Sequence, residues 1–113
     1  MDDKIDDEWN VYLGTAVFKS EHTIKAYKHA HKRLTNYLDM PLDEAREDEI
    51  IDAVNTLSEN PNTQNSLVAV ALVFRKLFDK PSPLILKKKN ELTKEILELR
   101  IKRNIANIYY NIL

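Results

Sequence analysis

Residues 63–78 read Thr-Gln-Asn-Ser-Leu-Val-Ala-Val-Ala-Leu-Val-Phe-Arg-Lys-Leu-Phe, and this stretch decides how the rest of the chain must be arranged. No polar side chain interrupts it between Leu67 and Phe74. A helix that is apolar nearly all round has no face for solvent, so neighbouring helices must cover it. Each fully buried Leu, Val or Phe contributes roughly 1.5–3 kcal/mol, an upper figure because unfolded chains are already partly compact. Leu67, Val68, Val70, Leu72, Val73, Phe74, Leu77 and Phe78 therefore mark this element as the centre of a core. A buried strand is the rival reading of such a run. The run is longer than most strands, and Pro61 followed by Asn62, Thr63 and Asn65 has the composition of a helix start, which favours helix.

The flanking composition agrees. The chain has 113 residues, one glycine, four prolines and no cysteine. That length suits one compact domain, and the scarcity of glycine and proline suits helices with short loops. Hydrophobic residues make up 43%, enough for a real core and too many for general disorder. Without cysteine there are no disulfides and no thiolate metal sites. The first eight residues are acidic with no apolar run behind them, which is not a signal peptide, and the run at 67–74 is too short to span a bilayer. The expectation is a soluble intracellular protein with no membrane partner.

Four further helices are expected around the central one. Over residues 6–18, Ile5, Trp9, Tyr12, Leu13, Ala16 and Val17 make one apolar stripe, with acidic residues in the first turn and Gly14 at a close contact. Ser20 is placed to cap a second helix, with Thr23 in its first turn and Ile24, Tyr27, Ala30, Leu34, Tyr37 and Leu38 on one side, stopped by Asp39-Met40-Pro41. A third covers residues 43–58, with Ile50, Ile51, Val54 and Leu57 inward and its acids at the N-terminal end. Pro81 and Pro83 read as an extended connector, from which Leu84, Ile85 and Leu86 could return to the core, and Lys87, Lys88 and Lys89 form the densest basic run. A last helix is expected from about Asn90, with the stripe of Leu92, Ile96 and Leu99 continued out of phase by Ile101, Ile105, Ile108 and Ile112. The division expected is thus a bundle over 1–80, a basic proline-containing linker over 81–89 and a C-terminal helix over 90–113.

Catalysis finds no support in the residues. One glycine makes no phosphate loop. His29 and His31 sit two apart and point to different faces of a helix, so they do not form a metal pair, and His31, beside the apolar stripe, reads as a core histidine. The acids from Glu44 to Asp52 read as a solvated helix terminus. No catalytic residue, metal site or cofactor is expected.

Binding is better supported. The net charge is only −1, but it is segregated: acids crowd residues 2–8 and 39–52, and bases crowd 19–33 and 75–103. Solvated helix faces explain such charges as readily as a partner does. Two helix starts, one at Ser20, His22 and Thr23 and one at Thr63, Gln64 and Asn65, are rich in hydroxyl and amide groups. Free backbone N–H groups and the dipole make such starts suited to phosphate, while ordinary capping is the commoner reason for these residues.

The order of these elements resembles the SAM-like core-binding domain of tyrosine recombinases, the phage-integrase family, over roughly residues 8–95. The residues that carry the resemblance are Ser20-Glu21-His22-Thr23-Ile24-Lys25-Ala26-Tyr27 with Leu34, Tyr37 and Leu38; Asn62-Thr63-Gln64-Asn65 with Leu67, Val70, Phe74 and Phe78; and Lys80-Pro81-Ser82-Pro83, the three lysines and Leu92-Thr93-Lys94-Glu95. The chain departs from the family in the arginine before the aromatic pair, since Arg75 and Lys76 are displaced. It also lacks the family's catalytic Arg, Lys, His and Tyr set, and Tyr109 and Tyr110 have no such company. The resemblance implies an all-α, small four- to five-helix SAM-like orthogonal bundle. It also implies a non-enzymatic module that grips one face of duplex DNA, while a catalytic domain of the same parent chain holds the other. Ser20, His22, Thr23, Lys25 and Lys28 would approach from one helix tip, and Thr63, Gln64 and Asn65 from a second tip on the same flank. Gln64 and Asn65 have the amides that can pair with adenine, and Lys87, Lys88 and Lys89 would follow the phosphates. The alternative expectation is a helical protein-interaction module that self-associates through the C-terminal helix. A helix-turn-helix regulator is a weaker third, for want of two short helices joined by a tight glycine turn.

Overall fold

The computed structural model describes residues 20–112, and the helix expected over residues 6–18 lies outside them. The described residues form four helices and no strand: α1 (Glu21–Leu38), α2 (Glu47–Leu57), α3 (Pro61–Leu77) and α4 (Pro83–Ile112). This is an all-α bundle built on α3, against which the other three helices pack.

Local chemistry sets most of the boundaries. The Ser20 hydroxyl accepts the Thr23 N–H at 3.2 Å and opens α1. The Asn60 carboxamide accepts the N–H groups of Asn62 and Thr63, with Pro61 at the first helical position of α3, where its missing N–H costs nothing. With glycine so scarce, both left-handed helix exits fall to aspartate, Asp39 after α1 (φ 54°) and Asp79 after α3 (φ 53°). At Asp79 the exit is a Schellman turn: its N–H donates to the Lys76 carbonyl at 3.1 Å and that of Lys80 to the Arg75 carbonyl at 3.0 Å.

α3 supplies Leu67, Val68, Val70, Ala71 and Phe74 to the core, more than any other helix. α1 adds Ala30 and Leu34, α2 adds Ile50, Ala53 and Val54, and α4 adds Ile85 and Leu92. His31 is a core residue, its ring centroid 4.8 Å from that of Phe74. Leu77 departs from expectation, since it lies 36% exposed at the end of α3.

Two expected boundaries are corrected. α2 begins at Glu47 and not at residue 43, because residues 42–45 form a turn in which the Leu42 and Ala45 carbonyls accept from Arg75 at 3.1 and 2.7 Å. The linker expected over 81–89 is helical from Pro83 onward, so the last helix does not wait for Asn90. Pro83 takes the first helical position, and the Glu47 carboxylate accepts the N–H groups of Leu84 at 2.7 Å and Ile85 at 2.9 Å. A carboxylate from another helix thus caps α4, which no local pattern near residue 83 could announce. α4 then runs antiparallel to α3. Its start meets Leu72 and Lys76, and its middle, at Thr93, Ile96 and Leu97, meets Asn62 and Asn65. Beyond Ile96 every described residue of α4 is exposed, and the molecule measures 60 × 30 × 22 Å.

Candidate nucleic-acid interface

α1 is amphipathic in an unusual way, because its outer side is basic and not mixed. Ile24, Tyr27, His31, Leu34 and Leu38 face the bundle. At 100° per residue, His22, Lys25, Lys28, His29 and Lys32 fall together on the opposite side, and all are exposed. Glu21 is the one acid among them, at the start of the row. Among the described residues the only ion pairs are those of Arg46 with Asp48 and Glu49, so Lys25, Lys28 and Lys32 keep uncompensated charge. Arg33 leaves this side, since its guanidinium donates to the Leu57 carbonyl at 3.0 Å and ties α1 to α2. His29 and Lys32 are not among the expected residues, which end at Lys28; they continue the row of Lys25 and Lys28 by the same helical period.

Ser20 and Thr23 stand at the tip of this row with their hydroxyl oxygens 2.9 Å apart. Ser20 caps the helix and is exposed, and Thr23 supplies the N–H that it caps. A phosphate oxygen at this tip would meet the remaining N–H groups of the first turn and then Lys25.

The other two expected clusters are arranged differently. Gln64 donates its side-chain amide to the Ser58 carbonyl at 2.7 Å, and the Asn65 Oδ1 is buried with no hydrogen-bond partner. Bidentate pairing with adenine needs both ends of an amide presented outward, and neither residue presents them. Thr63 is half-buried, with its N–H spent on Asn60. This helix start borders a cleft closed on its far side by Thr93, Ile96, Leu97 and Arg100 of α4. It is not set beside the α1 tip by any hydrogen bond among the described residues. The tie between α1 and the segment before α3 is Arg33 to Leu57, roughly 15 Å further along the helix than Thr23.

Lys87, Lys88 and Lys89 do not form one patch, because consecutive residues on a helix diverge by about 100°. Lys87 and Lys88 border a groove with Asp48 and Ile51 of α2, while Lys89 falls in the same row as Thr93, Ile96 and Arg100 on the side of α3. The acids segregate towards α2, whose first turn holds Glu47, Asp48 and Glu49. No group of three or more His, Asp or Glu side chains among the described residues could hold a metal ion. None of the described helices is long and apolar enough to cross a membrane.

No protein-family model, no curated protein and no solved structure matches this chain.

Proposed function

We propose that the chain is a helical module that binds duplex DNA through the sugar–phosphate backbone, using the outer side of α1. The observation that carries this reading is the unpaired basic row of Lys25, Lys28 and Lys32, flanked by His22 and His29 and led by the hydroxyl-capped tip. From Lys25 to Lys32 the row rises about 10 Å, close to the rise of three base steps along one strand at about 3.4 Å each. Lysines so placed act as point charges that displace condensed counterions, and they hold the protein without selecting sequence. The resemblance to the core-binding domain of tyrosine recombinases supports the same partner. In that reading strand cleavage belongs to a catalytic domain of the parent chain, and this module supplies grip. With Gln64 and Asn65 turned inward, the grip is chiefly backbone-directed.

Fluorescence anisotropy with a labelled duplex over a series of salt concentrations tests the proposal. Log affinity should fall linearly with log salt. The triple variant Lys25→Ala, Lys28→Ala, Lys32→Ala should bind more weakly on every sequence, with a slope shallower by up to about 2.7. Affinity indifferent to salt, or an unchanged triple variant, removes the α1 row as the DNA surface.

A further inference from the structure

α4 carries two apolar faces that do not continue one another. In its first half Ile85, Leu92 and Ile96 face the bundle. From the point where the helix leaves the bundle, Leu97, Ile101, Ile105, Ile108 and Ile112 recur at i, i+4, i+8, i+11 and i+15. At 100° per residue this second row fills an arc of roughly 80°, centred roughly 160° away from the first. Its members are 48–77% exposed. A single exposed isoleucine needs no explanation, but five large apolar side chains in one row on an unsupported helix do. Apart from Leu97, which borders the start of α3, none of them meets another described helix, and every residue from 97 to 112 is exposed.

We infer that this row is a self-association surface, on which the distal half of α4 packs against the same half of a second copy about a two-fold axis. Area, charge and symmetry each support that occupant. At about 25 cal/mol per Å², burying such a side chain for roughly 1.5–3 kcal/mol removes on the order of 100 Å² from water. Five side chains from each of two copies then bury about 1,000 Å², the size at which a specific interface becomes tenable. The four charges of the distal half, Glu98, Arg100, Lys102 and Arg103, all lie before residue 104, and residues 104–112, which carry Ile105, Ile108 and Ile112, hold no charged side chain. Two identical copies therefore pair along that stretch without bringing like charges together. A straight helix that projects from its bundle presents the same row to a partner related by a two-fold axis, the isologous arrangement most homodimers use. The row is separate from Lys25, Lys28 and Lys32, so pairing leaves the basic side of α1 open.

Light scattering over a range of concentrations tests the inference on the whole chain. The native chain should pass from monomer to twice that mass as concentration rises. The double variant Ile101→Glu, Ile108→Glu should stay monomeric with its helical circular dichroism retained, because both positions are solvent-facing in the single chain. The absence of native cysteine allows a second readout. An Ile105→Cys variant should oxidise rapidly to a covalent dimer, and a Lys76→Cys variant, exposed at the other end of the bundle beside the start of α4, should not. A chain that remains monomeric at several hundred micromolar overturns the inference, as does a double variant that dimerises like the native chain. Binding of a monomeric chain to mixed phosphatidylcholine–phosphatidylglycerol vesicles through this row would also overturn it, by assigning the row to a lipid surface.

Discussion

Arg75 sits 7% exposed and spends its guanidinium on four acceptors, none of them charged. Nη1 donates to the carbonyls of Leu42 and Ala45, Nη2 to that of Pro81 at 3.1 Å, and Nε to the Ser82 hydroxyl at 2.7 Å. One side chain thereby joins the end of α3, the turn before α2 and the connector into α4. Arg75→Ala leaves two buried carbonyls without donors, at about 1–3 kcal/mol each. A loss of about 3–5 kcal/mol in urea denaturation is expected. Arg75→Lys should recover less than half of it, since one ammonium cannot span this fan of acceptors. Glu47→Ala should cost about 1 kcal/mol, as for other lost caps, and speed amide exchange at Leu84 and Ile85 first. Neither role is legible in the sequence. Arg75 reads there as the first member of a basic segment, and Glu47 as one acid in a solvated block, because the buried acceptors of Arg75, Leu42 and Ala45, lie 33 and 30 positions away and the donors to Glu47 lie 37 and 38 away.

At the scale of elements, α1 and α3 are legible in the sequence, and α4 is legible from Asn90 but not in its first turns. Ser20 and Asn60 are local caps, and the stripe of Ile24, Tyr27, Leu34 and Leu38 is a local period, so both helices follow from neighbouring residues alone. The pair Pro81 and Pro83 reads as a connector for the same local reason. The correction comes from α2, whose Glu47 satisfies the first free N–H groups of α4 and lets the helix start at Pro83. That earlier start changes what the three lysines can do. On an extended linker they could line up along a strand, whereas on a helix they point three ways. Replacing Lys87, Lys88 and Lys89 by Ala should therefore weaken DNA binding less than replacing Lys25, Lys28 and Lys32, although the charge removed is the same. Anisotropy at one fixed salt concentration distinguishes the two triples.

Over the whole molecule, stability is concentrated between α1 and the first half of α4. Phe74 is fully buried, stacks on His31 and lies 5.1 Å from Phe78 between ring centroids. Phe74→Ala should cost about 3–5 kcal/mol, much of the 5–15 kcal/mol that holds a typical domain. A chain shortened to end at Glu98 should unfold, at low concentration, within about 0.5 kcal/mol of the full chain, because exposed residues beyond the bundle add little. Urea midpoints of the two proteins check this. The sequence alone determined that the protein is a helical bundle with residues 67–74 at its centre, since eight uninterrupted apolar and small residues admit no solvent face. It also determined where α1 and α3 begin, since their caps lie within three residues of the N–H groups they serve. Only the tertiary structure decided that α4 starts at Pro83, that Gln64 and Asn65 turn inward, and that the late isoleucines face away from the bundle. The start at Pro83 rests on Glu47, more than thirty positions away, the placement of Gln64 on its bond to the Ser58 carbonyl, and the exposed row on where α4 leaves α3, and no local period encodes these.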